Sequence, residues 1–509
     1  MTFISPVARF FAAPDEREPA TKSAATHQWP FFVSLGAASS IRWGPCPRPP
    51  RRAAGGTTSK ARASLFLLAL LLLGGAVTSI HAEVTLPHTP FKQIVLGNGL
   101  DVLLMENHDA PLVNVQVWYH VGSKDETPGR TGFAHFFEHL MFQGTKNIPP
   151  EDFSDYIIRS GGTDNAFTAE DYTVFWETTP SSSLPVSLWL EADRMRGLDI
   201  TEKSFKNERE VVKEERRERF DNQPYGNVVE VLYQNAYTVH PYQHMTIGSM
   251  EDLDRASVDD VRSFYDTYYI PNNATLIITG DFDPADAESE VRQYFGPLAA
   301  GRPVVRNIPQ EPPQTRERLV KMASDVALPA FVEGYHMPAD GVPDAYPLRL
   351  AAKILSEGES SRIYRHLVYE KQSALEADAT GNFTEDPNLF FVFAVMNDGH
   401  TLAEGESEVG KDLERLRTDL VSPEELEKSK NQILRDFILS RQGDQSRGEE
   451  LGYAAVVLKD PNLLDAELNR FMAVTAEDIR RVARKYFVPE NMTLVEVLPS
   501  TQERTSGNR

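Results

Sequence analysis

Residues Ser257–Thr275 read SVDDVRSFYDTYYIPNNAT, and residues Thr475–Thr493 read TAEDIRRVARKYFVPENMT. The two stretches align without a gap, and both have the pattern of a helix that stops before a proline and is followed by a short apolar strand. Six positions are identical between them: Asp260 and Asp478, Arg262 and Arg480, Tyr268 and Tyr486, Pro271 and Pro489, Asn273 and Asn491, Thr275 and Thr493. A unit that recurs in this way indicates an internal duplication.

A second pair of segments supports the duplication. ITEKSFKNEREVV, near residue 200, parallels VSPEELEKSKNQI, near residue 421. Short apolar runs alternate with helical patterns along the chain, and Asn98-Gly99 between two apolar runs signals a β-hairpin. We therefore predict an α+β fold of two homologous α/β-sandwich halves, each a mixed sheet covered by helices, at 90–295 and 319–498. The proline-rich stretch 296–318 is predicted to link them.

The N-terminal 82 residues differ from the rest of the chain in charge. They carry nine Lys or Arg against three Asp or Glu, whereas the whole chain of 509 residues has a net charge of −22. A basic stretch, the apolar run Leu65–Leu73 and small residues up to Ala82 are typical of a secretory signal peptide. We predict a basic leader at 1–63, a signal-peptide apolar region at 64–82 and a polar tail at 499–509. The chain is then periplasmic or secreted; an uncleaved leader would instead anchor it to the membrane, facing the periplasm.

Composition excludes several classes of protein. The strong acidity argues against nucleic-acid binding. The single cysteine, Cys46, rules out a disulfide framework and a cysteine-based zinc site, so that metal ligands would have to be histidines and carboxylates.

The segment 132–142, GFAHFFEHLMF, contains the pattern H-x-x-E-H. On a helix, His135 and His139 lie four residues apart on one face, within reach of one zinc ion. Glu138 lies beside that face and can take a proton from a zinc-bound water, whose pKa the metal lowers to about 7. The order is the inverse of the H-E-x-x-H zinc-peptidase motif. It predicts one Zn²⁺ per chain and Glu138 as the general base of peptide hydrolysis.

A zinc peptidase needs a third protein ligand, and the acidic helix predicted over 202–220 offers several. Helical phase places Glu208 and Glu215 in the middle of its apolar face. Three other glutamates lie on the opposite, polar face: Glu210, Glu214 and Glu218. A carboxylate inside an apolar face is costly unless it meets a positive partner. Phase therefore selects Glu208 and Glu215, one as ligand and one as support for a ligand histidine, but it leaves open which is which.

His240 and His244 are also four residues apart. Pro241 between them removes the helical geometry that a zinc pair requires. We predict that they are loop residues.

The metal motif and its surroundings resemble the pitrilysin-type zinc peptidases, family M16, over about residues 90–498. That family includes insulin-degrading enzyme and the mitochondrial processing peptidase. The resemblance implies that His135 and His139 are ligands and Glu138 the base. The family's third ligand follows its second histidine by about 76 positions, with another functional glutamate seven residues earlier, which implies Glu215 as the ligand and Glu208 as the supporting carboxylate.

The segment 161–168, GGTDNAFT, resembles the family's edge strand beside the metal, to which the substrate adds as an extra strand. The resemblance implies that Asn165, Ala166 and Phe167 bind the substrate.

Active family members carry an Arg and a Tyr in the second half that help to bind substrate. Here Tyr369 and Leu375 stand where the pair is expected, and the second half has no H-x-x-E-H. The resemblance therefore implies the metal-bearing subunit of a heterodimer with an Arg/Tyr-bearing homologue, which closes as a clamshell around peptides or small unfolded proteins. A homodimer is the second arrangement. The alternative function is that of a non-catalytic structural or assembly subunit that retains the fold.

Overall fold

The computed structural model of the chain describes residues 89–150 and 152–500. The predicted leader at 1–63, the apolar region at 64–82 and most of the predicted tail at 499–509 lie outside the described residues. Among the described residues, no helix combines the length and apolar character needed to cross a membrane.

Among the described residues, the first sheet has six strands in the order β1-β2-β6-β3-β5-β4. Their bounds are β1 Lys92–Val95, β2 Asp101–Glu106, β3 Leu112–Tyr119, β4 Thr163–Thr168, β5 Thr173–Pro180 and β6 Ala274–Gly280. The predicted hairpin is confirmed, because β1 pairs antiparallel with β2 around Asn98-Gly99. Strands β2 and β6 are parallel, and every other pair in the sheet is antiparallel.

Eight α-helices accompany this sheet along the described part of the first half. They are α1 Phe133–Leu140, α2 Asp152–Arg159, α3 Leu184–Gly197, α4 Glu202–Arg216, α5 Val228–Ala236, α6 Met250–Arg255, α7 Val258–Tyr268 and α8 Pro284–Phe295. One face of the sheet packs on α1, α3, α7 and α8 in a shared apolar core.

The second sheet has five strands in the order β7-β11-β8-β10-β9. Their bounds are β7 Arg318–Ser324, β8 Ala330–His336, β9 Ala374–Gly381, β10 Leu389–Met396 and β11 Met492–Pro499. This order repeats β2-β6-β3-β5-β4 of the first sheet, and the parallel pair β7 and β11 matches β2 and β6. The predicted duplication into two α/β halves is therefore confirmed, and the repeated sequence forms α7 with β6 and its second copy forms the last helix with β11.

Six α-helices belong to the second half, as far as the structure describes it. They are α9 Ala345–Ser356, α10 Leu402–Thr418, α11 Pro423–Ser440, α12 Asp444–Val456, α13 Leu463–Ala473 and α14 Ala476–Tyr486. Helices α9, α10 and α14 share the core on one face of the second sheet. Residues 296–317 form neither helix nor strand, and the predicted linker at 296–318 covers them.

One helix of each half packs on the sheet of the other half. Helix α5 of the first half packs its apolar side, with Val229 and Leu232, against Val332 and Phe391 on the second sheet. Helix α12 of the second half places Leu451 against Leu103, Trp118 and Ile277 on the first sheet. In each half, the face of the sheet opposite its own helical layer is therefore covered by a helix of the other half. Neither half buries both faces of its sheet by itself.

Two glycines let α12 approach the first sheet closely. A Cβ added to Gly448 would lie 2.6 Å from the side-chain nitrogen of Gln116, and one added to Gly452 would lie 2.2 Å from the ring of Trp118. Gln116 donates a hydrogen bond to the carbonyl of Gln445 at 2.8 Å, which ties the start of α12 to β3.

Candidate metal centre

Helix α1 is short and its aromatic side chains fix it. Gly132, its N-cap, has φ +88°, and a Cβ there would lie 2.6 Å from the carbonyl oxygen of Ile247. Phe136 packs edge-on against Phe205 of α4 at 5.5 Å between ring centroids, and Phe137 stacks on Phe264 of α7 at 5.6 Å. These contacts hold α1 against α4, so that the histidines of the motif face that helix.

Helix α4 begins at a capping box in which the hydroxyl of Thr201 accepts from the N–H of Ser204 at 3.0 Å. The helix predicted over 202–220 is α-helical as far as Arg216. It continues as a π-helical turn over 217–221, in which the N–H of Asn222 donates to the carbonyl of Arg217 at 2.8 Å. The extra residue in this turn is a local feature that periodicity does not reveal.

Three side chains from α1 and α4 meet at one point. Nε2 of His139 lies 3.2 Å from Oε2 of Glu215, and Nε2 of His135 lies 3.6 Å from the same oxygen. One possible ligand atom from each of the three residues lies within 4.8 Å of the others. No second group of three or more metal-binding side chains is found in the part of the chain that the structure describes.

Charged neighbours surround these three residues. Oε2 of Glu208 lies 3.5 Å from Nδ1 of His139, on the side of the ring away from Glu215. The guanidinium of Arg219, in the π-helical turn, lies 2.8 Å from Oε1 of Glu215. Nδ1 of His135 is buried and has no hydrogen-bond partner among the described residues.

The carboxylates set the protonation of the site. Burial alone would lower the pKa of His139, but its hydrogen bonds with Glu208 and Glu215 outweigh burial and raise that pKa to about 10. Burial would likewise raise the pKa of Glu215, but the hydrogen bond from His139 and the charge of His135 lower it to about 2. Burial lowers the pKa of His135. Both shifts favour a positive charge beside Glu215, which a protonated His139 or a bound cation would supply.

The residues present fit a zinc ion. Two imidazole nitrogens and one carboxylate oxygen are a common donor set for zinc with a fourth position left open. A carboxylate at the far nitrogen of a ligand histidine orients the ring and raises its basicity, and Glu208 is placed for that at His139.

Glu138 points to strand β4. Its Oε2 accepts a hydrogen bond from the hydroxyl of Thr168, at the end of β4, at 2.8 Å. Strand β4 is the last strand of the sheet, and it pairs only with β5 among the described residues. Glu138 and an open sheet edge therefore lie side by side.

The predicted substrate-binding residues lie in the middle of β4. The N–H of Ala169 donates to the carbonyl of Tyr172 in the turn to β5, and alternation along an antiparallel strand then directs the N–H of Ala166 to the open edge. That N–H donates to the side-chain oxygen of Asn165 at 2.8 Å. Phe167 packs edge-on against Trp118, with 6.2 Å between ring centroids. Their role in binding substrate stays a prediction.

Four other residues singled out in the sequence do not belong to the group formed by His135, His139 and Glu215. His240 and His244 flank a 3₁₀ turn, as loop residues, and the ring of His240 accepts from the N–H of Tyr242. Tyr369 lies in a π-helical turn and Leu375 on β9, and their exposed fractions are 73% and 62%.

Three residues at the site were missed by reasoning from the sequence. Thr168 holds Glu138, Arg219 holds Glu215, and Glu126 accepts two hydrogen bonds from the start of α1. Their partners lie 30, 4 and 6 to 8 residues away along the chain. Only the spacing of Arg219 and Glu215, one helical turn apart, gave a signal in the sequence.

Family models match both halves of the chain. The model described as Insulinase (Peptidase family M16) matches residues 101–249, and that described as Peptidase M16 inactive domain matches residues 255–433.

Similar proteins point the same way. The chain is 32% identical over 439 residues to a protein of Helicobacter pylori named zinc protease PqqE, which covers 85% of this chain and 98% of the relative. It is 26% identical over 424 residues to the mitochondrial-processing peptidase subunit beta of Lentinula edodes, covering 80% of this chain and 89% of that subunit.

Solved structures agree with the fold. A protease from Helicobacter pylori has a TM-score of 0.77 at 31% identity and covers 81% of this chain and 100% of its own. The periplasmic protease PqqL from Escherichia coli has a TM-score of 0.67 at 17% identity, over 81% of this chain and 48% of its own. With family models over both halves and a relative above 30% identity along nearly its full length, the chain belongs to peptidase family M16.

Proposed function

We propose that this chain is a zinc-dependent endopeptidase that cleaves peptides or small unfolded proteins. The observation that carries the proposal is the convergence of His135, His139 and Glu215, with Glu138 beside them and hydrogen-bonded to the open-edge strand β4. Names of relatives as zinc proteases support the choice of metal and of reaction class.

Each side chain of the site has a separate task in this proposal. His135, His139 and Glu215 hold the metal, and Glu208 keeps the ring of His139 in the orientation that binds it. A zinc ion bound there supplies a Lewis acid that polarises a peptide carbonyl and acidifies water. Glu138 takes a proton from the attacking water and gives it to the leaving amine, while the hydroxyl of Thr168 holds its carboxylate in place.

Substrate is proposed to bind as a strand along β4. The N–H of Ala166 faces the open edge and is satisfied by Asn165 in the free chain. A peptide strand would take over that hydrogen bond and bring its own backbone beside Thr168 and Glu138. Main-chain pairing of this kind depends little on the side chains of the substrate, so it suits unfolded substrates of varied sequence.

The second half is proposed to work with a partner. Tyr369 and Leu375 stand where the resemblance implies an Arg and a Tyr, so we propose a heterodimer with a homologue that carries this pair. A relative named as the beta subunit of a mitochondrial peptidase supports an assembly of two chains. The sequence features of the first 82 residues and the structural likeness to a periplasmic protease support a periplasmic location.

The test is the variant Glu138→Gln, with Glu210→Gln on the exposed face of α4 as its matched control. We expect Glu138→Gln to keep its zinc and to lose roughly 10²- to 10⁴-fold in the rate of peptide cleavage, because the general base is gone. Glu210→Gln should keep both. Cleavage by Glu138→Gln at the wild-type rate would show that the mechanism is wrong.

The alternative function is a non-catalytic subunit, and the absent Arg/Tyr pair is the observation that favours it. Elemental analysis for zinc and cleavage assays with and without a co-expressed homologue separate the two functions. Activity that appears only with the homologue supports the heterodimer. A chain that holds no zinc supports the non-catalytic subunit.

A further inference from the structure

Three consecutive charged residues lie buried on the turn that precedes the metal helix. Lys124, Asp125 and Glu126 have exposed fractions of 2%, 8% and 6%. Burying a charge is costly unless it is paired and hydrogen-bonded, so three in a row need three sets of partners. Each of them is paired with a different part of the molecule.

Glu126 is paired with the start of α1. Its Oε2 accepts from the N–H of Gly132 at 2.7 Å, and its Oε1 accepts from the N–H of Ala134 at 2.8 Å. These N–H groups belong to the positive end of the helix and have no partner within it. His135 follows Ala134 directly, so Glu126 fixes the turn of helix from which the first predicted ligand projects.

Lys124 is paired with both halves. Its ammonium lies 2.8 Å from Oδ1 of Asp171, in the turn between β4 and β5, and 2.6 Å from Oε2 of Glu385. Glu385 belongs to the loop 382–388 between β9 and β10 of the second half, and its N–H donates to Oδ2 of Asp171 at 2.8 Å. The lysine therefore joins the loop of the second half to the end of the strand whose Thr168 holds Glu138.

Asp125 is paired with the connection between the halves. Its Oδ1 accepts from Nε of Arg306 at 2.7 Å, and the guanidinium of Arg306 also donates to the carbonyl of His120. Arg306 lies in the segment 296–317, which has no helix or strand of its own.

The turn is also packed tightly on its neighbour. A Cβ added to Gly122 would lie 2.3 Å from the carbonyl oxygen of Glu170, and the N–H of Lys124 donates to that same oxygen at 3.0 Å. The turn cannot shift without moving the β4–β5 turn with it.

We propose that Lys124, Asp125 and Glu126 are positioning residues, through which the half without the metal motif sets the place of the metal helix relative to β4. The inference rests on the proposed function, since it assigns the second half a part in holding the zinc site. Lys124 and Asp125 anchor the turn to the second half and to the connecting segment. Glu126 connects the same turn to α1 through its two hydrogen bonds.

The test measures zinc affinity by competition with a chromophoric chelator, on the full chain freed of metal. Glu126→Gln keeps the size of the side chain but turns an amide N–H towards one backbone donor, so we expect the dissociation constant for Zn²⁺ to rise about tenfold. Glu385→Gln acts from the other half, through Lys124, and should raise it about threefold. The control is Glu288→Gln, which removes the carboxylate of an exposed ion pair with Lys92 and should change nothing.

A structural role alone would lower the melting temperature of the variants and leave their zinc affinity within about twofold of the control, and that result would overturn the proposal. If Glu126→Gln does not fold, Glu385→Gln decides by the same criterion. Zinc affinity is measured without substrate. A chain that binds zinc, loses affinity in these variants and cleaves no peptide even with the co-expressed homologue would therefore contradict the proposed function and support the positioning role.

Discussion

Helices α4 and α11 occupy equivalent places in the two halves, but they carry different side chains to their neighbours. Both begin at a capping box, at Thr201 and at Ser422. Seven and fourteen residues after its cap, α4 has Glu208 and Glu215, and α11 has Ser429 and Asp436. The carboxylate fourteen residues along is kept in both halves, whereas the carboxylate seven residues along is not.

The partner of that carboxylate differs as well. Glu215 meets two histidines of α1, whereas Asp436 meets the ammonium of Lys353 of α9 at 2.8 Å. The carboxylate therefore faces side chains that can carry positive charge in both of the equivalent helix pairs, α1 with α4 and α9 with α11. In the second half that side chain is a lysine. In the first half it is a pair of histidines, which we propose to hold a metal ion.

The largest effect is expected from Glu215→Gln, which removes the carboxylate that faces the two histidines. Loss of a direct ligand should lower peptide cleavage by more than the roughly 100-fold that removal of an outer partner of a metal site costs. The matched variant in the other half, Asp436→Asn, should keep zinc and activity. Zinc content and initial rates of cleavage measure both variants, and equal losses in the two would contradict the assignment of the metal to the first half.

The next largest effect is expected where helix α12 of the second half packs on the first sheet. Gly452→Ala would drive a methyl group into the ring of Trp118 and should lower the free energy of unfolding by about 1–3 kcal/mol. Gly410→Ala, on α10, has open space around the new methyl group and should instead stabilise by about 0.5–1 kcal/mol. Urea unfolding of the two variants measures this difference, and a Gly452→Ala chain as stable as the wild type would show that α12 does not press on the first sheet.

A smaller effect is expected from Lys353→Met. The substitution removes the ammonium from Asp436 and Glu357 but keeps a side chain of similar length, so the free energy of unfolding should fall by about 1 kcal/mol. Zinc affinity should be unchanged. Calorimetry measures the free energy of unfolding, and chelator competition measures the zinc affinity. A loss of zinc from this variant would mean that the ion pair of Lys353 contributes to the metal site of the first half.

The smallest effect is a pH dependence at the contact between the halves. Burial alone would raise the pKa of Glu385, but its hydrogen bond with His120 and the charge of Lys124 outweigh it and lower that pKa below its ordinary range. A carboxyl whose pKa is lowered by folding stabilises the fold above its unfolded pKa, near 4.3, and loses that contribution as the pH falls.

Glu385→Gln should therefore flatten the acid limb of a stability profile measured by urea unfolding between about pH 5 and pH 3. Glu210→Gln, on the exposed face of α4, serves as the control. An acid limb as steep in Glu385→Gln as in the control would show that this carboxyl does not hold the halves together.

Much of this architecture could be predicted from the sequence, because repeated segments and helical phase are visible in the order of the residues alone. The repeated segments predicted two equivalent sheets, and phase placed Glu208 and Glu215 on the face of α4 that meets α1. Phase could not choose between them, since both lie on one face. The choice depends on which nitrogen of His139 each approaches, and that is a matter of tertiary geometry.

The exchange of α5 and α12 was not predicted, because an apolar helix face does not show which sheet it will cover. Gly448 and Gly452, four residues apart on α12, were the available signal for close packing. The buried charges of Lys124, Asp125 and Glu126 were missed for a similar reason, since a run of charges ordinarily faces water and its partners here are mostly distant in sequence.

We propose that two imidazoles of α1 and the carboxylate of Glu215 hold one zinc ion. X-ray absorption at the zinc edge, measured on the purified chain, reports these ligands. We expect about one zinc per chain with two imidazole nitrogens at roughly 2.0–2.1 Å and the remaining ligands oxygen. A chain without zinc, or zinc surrounded by oxygen alone, would contradict it.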